Sequence, residues 1–211
     1  MTSVDYWRHQ YDKLRRDIKK FPALYGIIAA NALVFLFIKT GKFALRRQHN
    51  NLRSEFDFWI VQQFTSSVYN TMIRNGGRHW YTSLTSGFTH FGTLHFALNM
   101  YALYTMAPTL LAHLGTPTFL ALYLSSLFVS SMGAMPFDLW RNHVIHRSIG
   151  ASGAVFAVLL ASWSIMDDMR LSLIFLPSHI HFDPVYFLAL YLVGEVVFNL
   201  VQKKVQLGTM T

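Results

Sequence analysis

The chain has 211 residues, of which 53% are hydrophobic and only 13% charged, and it contains no cysteine. A soluble domain carries nearer a quarter charged residues, so the composition excludes an ordinary soluble fold, and the missing cysteines exclude structural disulfides and cysteine-ligated metals. The net charge of +8 reads as basic residues that flank membrane spans and meet lipid headgroups, not as a nucleic-acid footprint. The expected architecture is an all-α polytopic membrane protein.

In chain order, Met1 to Phe21 is polar and basic, with Arg8, Lys13, Arg15, Arg16, Lys19 and Lys20. Asp5, Asp12 and Asp17 make it a poor transit peptide, and its charge and length do not suit a secretory signal. A juxtamembrane amphipathic helix is expected. Pro22 to Ile38 is an uncharged first span, with Pro22 in the helix first turn and Lys39 and Lys42 ending it. Basic residues at both ends leave the orientation open. From Leu52 to Tyr81, aromatic and aliphatic residues lie among Gln and Ser, as in an interfacial segment, and Gly76-Gly77 marks a turn.

A second span is expected near Thr93 to Leu111, with Pro108 in its last turns. A third runs from about Pro117 to Met135, and a fourth from Ile149 to Met166, closed by Asp167, Asp168 and Arg170. Leu171 to His181 is short and interfacial. A fifth span lies near Pro184 to Val201. A span needs about 20 apolar residues, and the ten after Val201 include Lys203 and Lys204, so no sixth is expected.

Two spans carry candidate chemistry. His95 and Asn99 are four apart, hence on one helix face, and both are costly in hydrocarbon without water or a polar partner. They serve either as interhelical hydrogen-bonding glue or as donors in a site. Ser152 lies in Gly150-Ala151-Ser152-Gly153-Ala154. At a helix start, free N–H groups and the positive dipole end favour a developing negative charge. The alternative is an N-cap or small packing serine. The Gly-x-Ser-x-Gly hydrolase elbow does not fit, because position 154 is alanine. Gly153, Ala157 and Ala161 recur every four residues and let another helix approach. Taken together, Ser152 as attacking group, with its own N–H and the side chains of His95 and Asn99 around an oxyanion, match the needs of acyl transfer.

On these residues the chain resembles the rhomboid family of intramembrane serine proteases. Gly150-Ala151-Ser152-Gly153, His95 with Asn99, and His90 five before His95 carry the resemblance. Asn31 looks like the asparagine of the family's first core helix, and Gly77-Arg78-His79-Trp80-Tyr81 looks like the approach to the second helix in mitochondrial-type members. The resemblance implies a six-helix bundle, five of whose helices this chain is expected to hold, and cleavage of transmembrane protein substrates within the lipid bilayer. It implies Ser152 as nucleophile and His95 and Asn99 as oxyanion donors. His90, Gly150 and Gly153 are the structural residues near the site. No cofactor and no metal is implied. The expected layout is a basic juxtamembrane segment over 1–21, a rhomboid-like membrane domain over 22–201 and a short polar tail over 202–211. The mitochondrial inner membrane is the expected location.

The family's general base is a histidine on a sixth helix packed against the fourth, which this chain is expected to lack. His113, His143, His146, His179 and His181 are the histidines elsewhere near span ends, and none is an evident substitute. Without a base a serine hydroxyl is a poor nucleophile near neutral pH. Glu195 and Asn199, four apart in the fifth span, either line a polar route or bond to other helices. Three functions follow: the protease; a non-catalytic relative that binds transmembrane segments for trafficking or degradation; and a small transporter or channel, which no inverted repeat supports.

Overall fold

A computed structural model describes residues 3–45, 50–166, 183, 186 and 189. Apart from residues 186 and 189, the fifth span lies outside the described residues, as do Glu195, Asn199, His179, His181 and the polar tail. The chain divides into two compact units, Met1–Val158 and Leu159–Thr211, and the candidate site falls in the first.

Helix α1 (Ser3–Lys20) leads into α2 (Pro22–Ala44), and α3 spans Asn50–Phe64. A π turn over Val68–Ile73 and a bend at Asn75, Gly76 and Gly77, all with positive φ, connect to the short α4 (Thr82–Thr85). Helix α5 covers Thr93–Trp140 and α6 covers Ser152–Ile165. Within α5, Gly115 takes φ 72 and ψ 166. That extended left-handed conformation is open to glycine, and it divides α5 into arms 93–114 and 116–140. Pro117 opens the second arm, where its fixed φ suits a first turn.

Several boundaries differ from expectation. The first span does not end at Lys39: α2 continues to Ala44 with Lys39 and Lys42 inside it. Both ammonium groups lie over aromatic rings, Lys39 over Phe35 at 5.4 Å and Lys42 over Phe91 at 4.9 Å, and Lys42 also meets Asp57 at 3.2 Å. Long basic side chains can thus find ring or carboxylate partners while the helix continues. The third span likewise extends to Trp140, and the fourth helix begins at Ser152, not Ile149, because Gly150 at φ 101 precedes it.

Helices α2 and α5 are long and apolar enough to cross a membrane, with only 22% and 28% of their most apolar windows buried. A core helix of a soluble protein would hide its apolar residues. Here Leu33, Leu36 and Phe37 of α2 and Leu94, Leu98 and Val129 of α5 stay exposed, as lipid-facing positions do. The inward face of α2 recurs as Leu24, Ile27, Asn31, Phe35 and Ile38. It packs against α5, with Phe35 stacked on Phe96 at 4.5 Å between centroids. In the second arm the inward stripe is Phe119, Tyr123, Leu127, Ser131 and Met135, four apart as a helix face requires.

Candidate functional site

Val155 N–H bonds the Ala151 carbonyl at 2.9 Å, the first intrahelical bond of α6. Ala151 therefore holds the N-cap position and Ser152 is the first helical residue. The N-cap alternative for Ser152 is not what forms. Its backbone N–H is one of the groups a helix start leaves without an intrahelical partner, and its half-buried side chain makes no hydrogen bond among the described residues. The dipole end of α6 and these donors favour negative charge beside Ser152.

The segment before Ser152 is fixed by contacts from distant parts of the chain. Ser66 and Ser148 exchange backbone hydrogen bonds at 3.1 and 2.7 Å. Tyr69 N–H bonds the Val144 carbonyl at 2.8 Å, and Gly150 N–H bonds the Ser86 carbonyl at 2.8 Å. Ala151 N–H donates to His90 Nε2 at 3.4 Å. A Cβ placed on Gly150 would stand 2.5 Å from His95 Cε1, 2.9 Å from its Nε2 and 3.7 Å from His90 Nε2. Only a residue without a side chain lets the loop lie this close to the two rings, and φ 101 makes the same demand.

The two imidazoles meet edge to face, 5.0 Å between centroids, and His90 also meets Phe96 at 5.6 Å. His90 is fully buried. Burial, with His95 beside it, pushes its pKa down to about 4, so the ring is neutral near pH 7. As Nε2 accepts from Ala151, the proton of that neutral ring resides on Nδ1. His95 is half-buried, and Asn99, nearly enclosed, donates from Nδ2 to the His95 carbonyl one turn back at 2.8 Å. Each Asn99 amide nitrogen carries two hydrogens, so this bond leaves one for another acceptor.

Of the expected site residues, His90, His95 and Gly150 are thus placed together, with Asn99 one turn along from His95 and Ser152 two residues after Gly150. Gly153 performs a separate task. A Cβ there would overlap Ser130, so the small residue admits the second arm of α5 against α6. Asn31 is fully buried and donates from Nδ2 to the Ile27 carbonyl at 2.9 Å. The candidate bases stand differently. His113 is exposed, its Nδ1 2.8 Å from the Thr109 carbonyl. His146 pairs with Asp138 at 3.2 Å, and His143 N–H bonds the Asp138 carbonyl at 2.8 Å.

Three supports lie outside the set of residues expected from the sequence. Asp138, a lone acid at the end of an apolar helix, is nearly buried and holds His146 in the loop ahead of Ser152. Its isolation was a usable signal. Ser86 was not foreseeable as the partner of Gly150. The third support is a run of buried hydroxyls. Ser131 Oγ is 2.7 Å from Ser66 Oγ, Ser66 Oγ is 3.2 Å from Thr71 Oγ1, and Thr71 Oγ1 is 2.9 Å from Thr82 Oγ1. Thr82 Oγ1 then donates to the His79 carbonyl at 2.7 Å.

Comparison with known proteins places these residues in a wider context. A family profile described as the Rhomboid domain matches residues 77–209. The chain is similar to the "Presenilin-associated rhomboid-like protein, mitochondrial" of Mus musculus, 31% identical over 172 residues, which are 78% of this chain and 40% of that protein. With its Homo sapiens counterpart the identity is 33% over 156 residues, 72% of this chain and 35% of that protein. "Rhomboid protein 1, mitochondrial" of Saccharomyces cerevisiae is 37% identical over 79 residues, 35% of this chain and 22% of that protein. The chain thus spans less than half the length of these relatives. No solved structure matches it.

Proposed function

This chain belongs to the rhomboid family, and from that membership we propose that it acts as an intramembrane serine endopeptidase on transmembrane protein substrates, with Ser152 as nucleophile. It is an all-α integral membrane protein of mitochondria, and we place it in the inner membrane. The observation that carries the proposal is the close seating of Gly150 against His95 and His90, which holds the loop of the serine beside the histidine helix.

In the mechanism, the substrate helix unwinds locally and presents a peptide carbonyl to Ser152. The hydroxyl oxygen bonds to the carbonyl carbon while its proton passes to a general base. The oxygen that gains negative charge accepts from Ser152 N–H, from His95 and from the second Asn99 hydrogen. The C–N bond then breaks, the leaving amine takes the proton, and water releases the acyl group by the reverse path. His90 is a positioning residue. It accepts the Ala151 N–H and so orients the first turn of α6.

Fluorophosphonate labelling of the whole membrane-reconstituted chain tests the assignment. Wild type should label and Ser152→Ala should not; equal labelling would remove Ser152 from the role. One observation favours a second reading. Among the described residues no histidine hydrogen-bonds the Ser152 side chain, although such bonds often tighten only with substrate bound. A non-catalytic protein that binds transmembrane segments would crosslink to them and remain unlabelled.

A further inference from the structure

The apolar residues of α1 form a stripe that is left largely exposed among the described residues. Trp7, Tyr11, Leu14 and Ile18 recur at i, i+4, i+7 and i+11, one face of a helix, and they are 69%, 63%, 47% and 43% exposed. Arg8, Arg15 and Lys19 follow the same seven-and-four spacing along one flank of that stripe, and Lys13 and Lys20 lie on the other side. Arg16 is about 180° from the stripe at 100° per residue. Six basic side chains stand against three aspartates in this helix.

The position of α1 decides what covers the stripe. A single residue, Phe21, separates it from α2, a membrane-crossing helix. Phe21 N–H still bonds the Asp17 carbonyl at 2.8 Å, and Tyr25 N–H bonds the Phe21 carbonyl at 3.3 Å. The stripe therefore begins within a turn of the place where the chain enters the bilayer. Trp and Tyr favour that interface, and basic side chains beside an apolar face snorkel towards phosphate. A basic flank complements anionic headgroups.

We infer that α1 lies on the bilayer surface, its Trp7–Tyr11–Leu14–Ile18 stripe in the headgroup–acyl boundary and its basic flank on anionic phospholipid. The inference rests on the chain being a membrane protein and is independent of the protease reading.

The native chain has no cysteine, so single-cysteine variants Leu14→Cys and Arg16→Cys of the full chain can each carry one spin label. The chain is reconstituted into vesicles of phosphatidylcholine alone or of equal parts phosphatidylcholine and phosphatidylglycerol. In the anionic vesicles the Leu14 label should become accessible to oxygen and shielded from an aqueous nickel reagent, while the Arg16 label stays in water. That seating should weaken at high salt and in Arg8→Gln/Arg15→Gln/Lys19→Gln. Equal environments for the two labels would overturn the inference, as would insensitivity to both lipid charge and salt. Spin–spin broadening at Leu14 that disappears on dilution with unlabelled chain would make a second copy the occupant, also against it.

Discussion

Gly150 lies against the imidazole of His95 so closely that a Cβ would stand 2.5 Å from Cε1 and 2.9 Å from Nε2. The residue two positions before the candidate nucleophile is thereby gauged by the candidate oxyanion donor. Gly150→Ala should force the loop and ring apart and strain a positive-φ backbone, costing about 1–3 kcal/mol. We expect a lower Tm in detergent and, on the proposed mechanism, fluorophosphonate labelling of Ser152 reduced at least about tenfold, since about 1.4 kcal/mol corresponds to a factor of ten. Labelling at the wild-type rate would show that this contact does not set the site's geometry.

Gly153 and Ser130 make a second close approach, between α6 and the second arm of α5. Gly153→Ala should cost about 1–3 kcal/mol by overpacking. Ser130→Gly, which removes the obstructing atoms, should recover part of that loss in the double variant. A double-mutant cycle on thermal unfolding measures the coupling, and purely additive effects would mean that the Gly153→Ala loss does not arise from Ser130.

His90 predicts an acid dependence of stability. Its folded pKa of about 4 lies below the ordinary histidine value of 6.5, so the unfolded chain binds more protons between these values. Stability is fully present above about pH 6.5 and is lost as pH falls towards 4, by up to roughly 3 kcal/mol. In addition, a protonated ring has no acceptor to offer Ala151 N–H. Tm measured from pH 7.5 to 4.5 should fall, and His90→Gln should flatten this part of the profile. An unchanged slope in the variant would assign the dependence to other groups.

Asp138 and His146 should matter for the loop more than for the fold. His146 is half exposed, and a pair of this kind contributes about 0.2–1 kcal/mol. Asp138→Asn should therefore leave Tm nearly unchanged. It should also speed amide exchange at Tyr69, whose N–H is held by Val144 in that loop. Unchanged exchange would mean that Ser66, Ser148 and Ser86 fix the loop without help.

The sequence made the first four spans legible, because apolar runs, Pro22 and Pro117 are local signals, whereas the fifth falls almost wholly outside the described residues. Spacing and resemblance also single out His90 and His95, whose rings meet in the structure, while the roles of Asn99 and Ser152 stand as proposals. Helix ends were less legible: Lys39 and Lys42 read as stops, yet each finds partners while the helix continues. The N-cap reading of Ser152 failed by one residue, since the position depends on which carbonyl accepts the first helical bond. Partnerships such as Ser66 with Ser148, or Ser86 with Gly150, join residues more than sixty apart and leave no periodic trace. Glu195, Asn199, His179 and His181 lie outside the described residues, so their expected roles stand as proposals.

The buried hydroxyls from Ser131 to Thr82 carry a direction. Thr82 has one hydroxyl proton and gives it to the His79 carbonyl, so Thr71 must donate to Thr82. Ser66 must then donate to Thr71, and Ser131 to Ser66, the orientation found at that end. One carbonyl thus sets the sense of four protons, from the helix that braces Gly153 to the bend after the π turn. Cutting the terminal link with Thr82→Val would release the orientation of every hydroxyl behind it, including Ser66, whose backbone pairs with the loop of the candidate nucleophile.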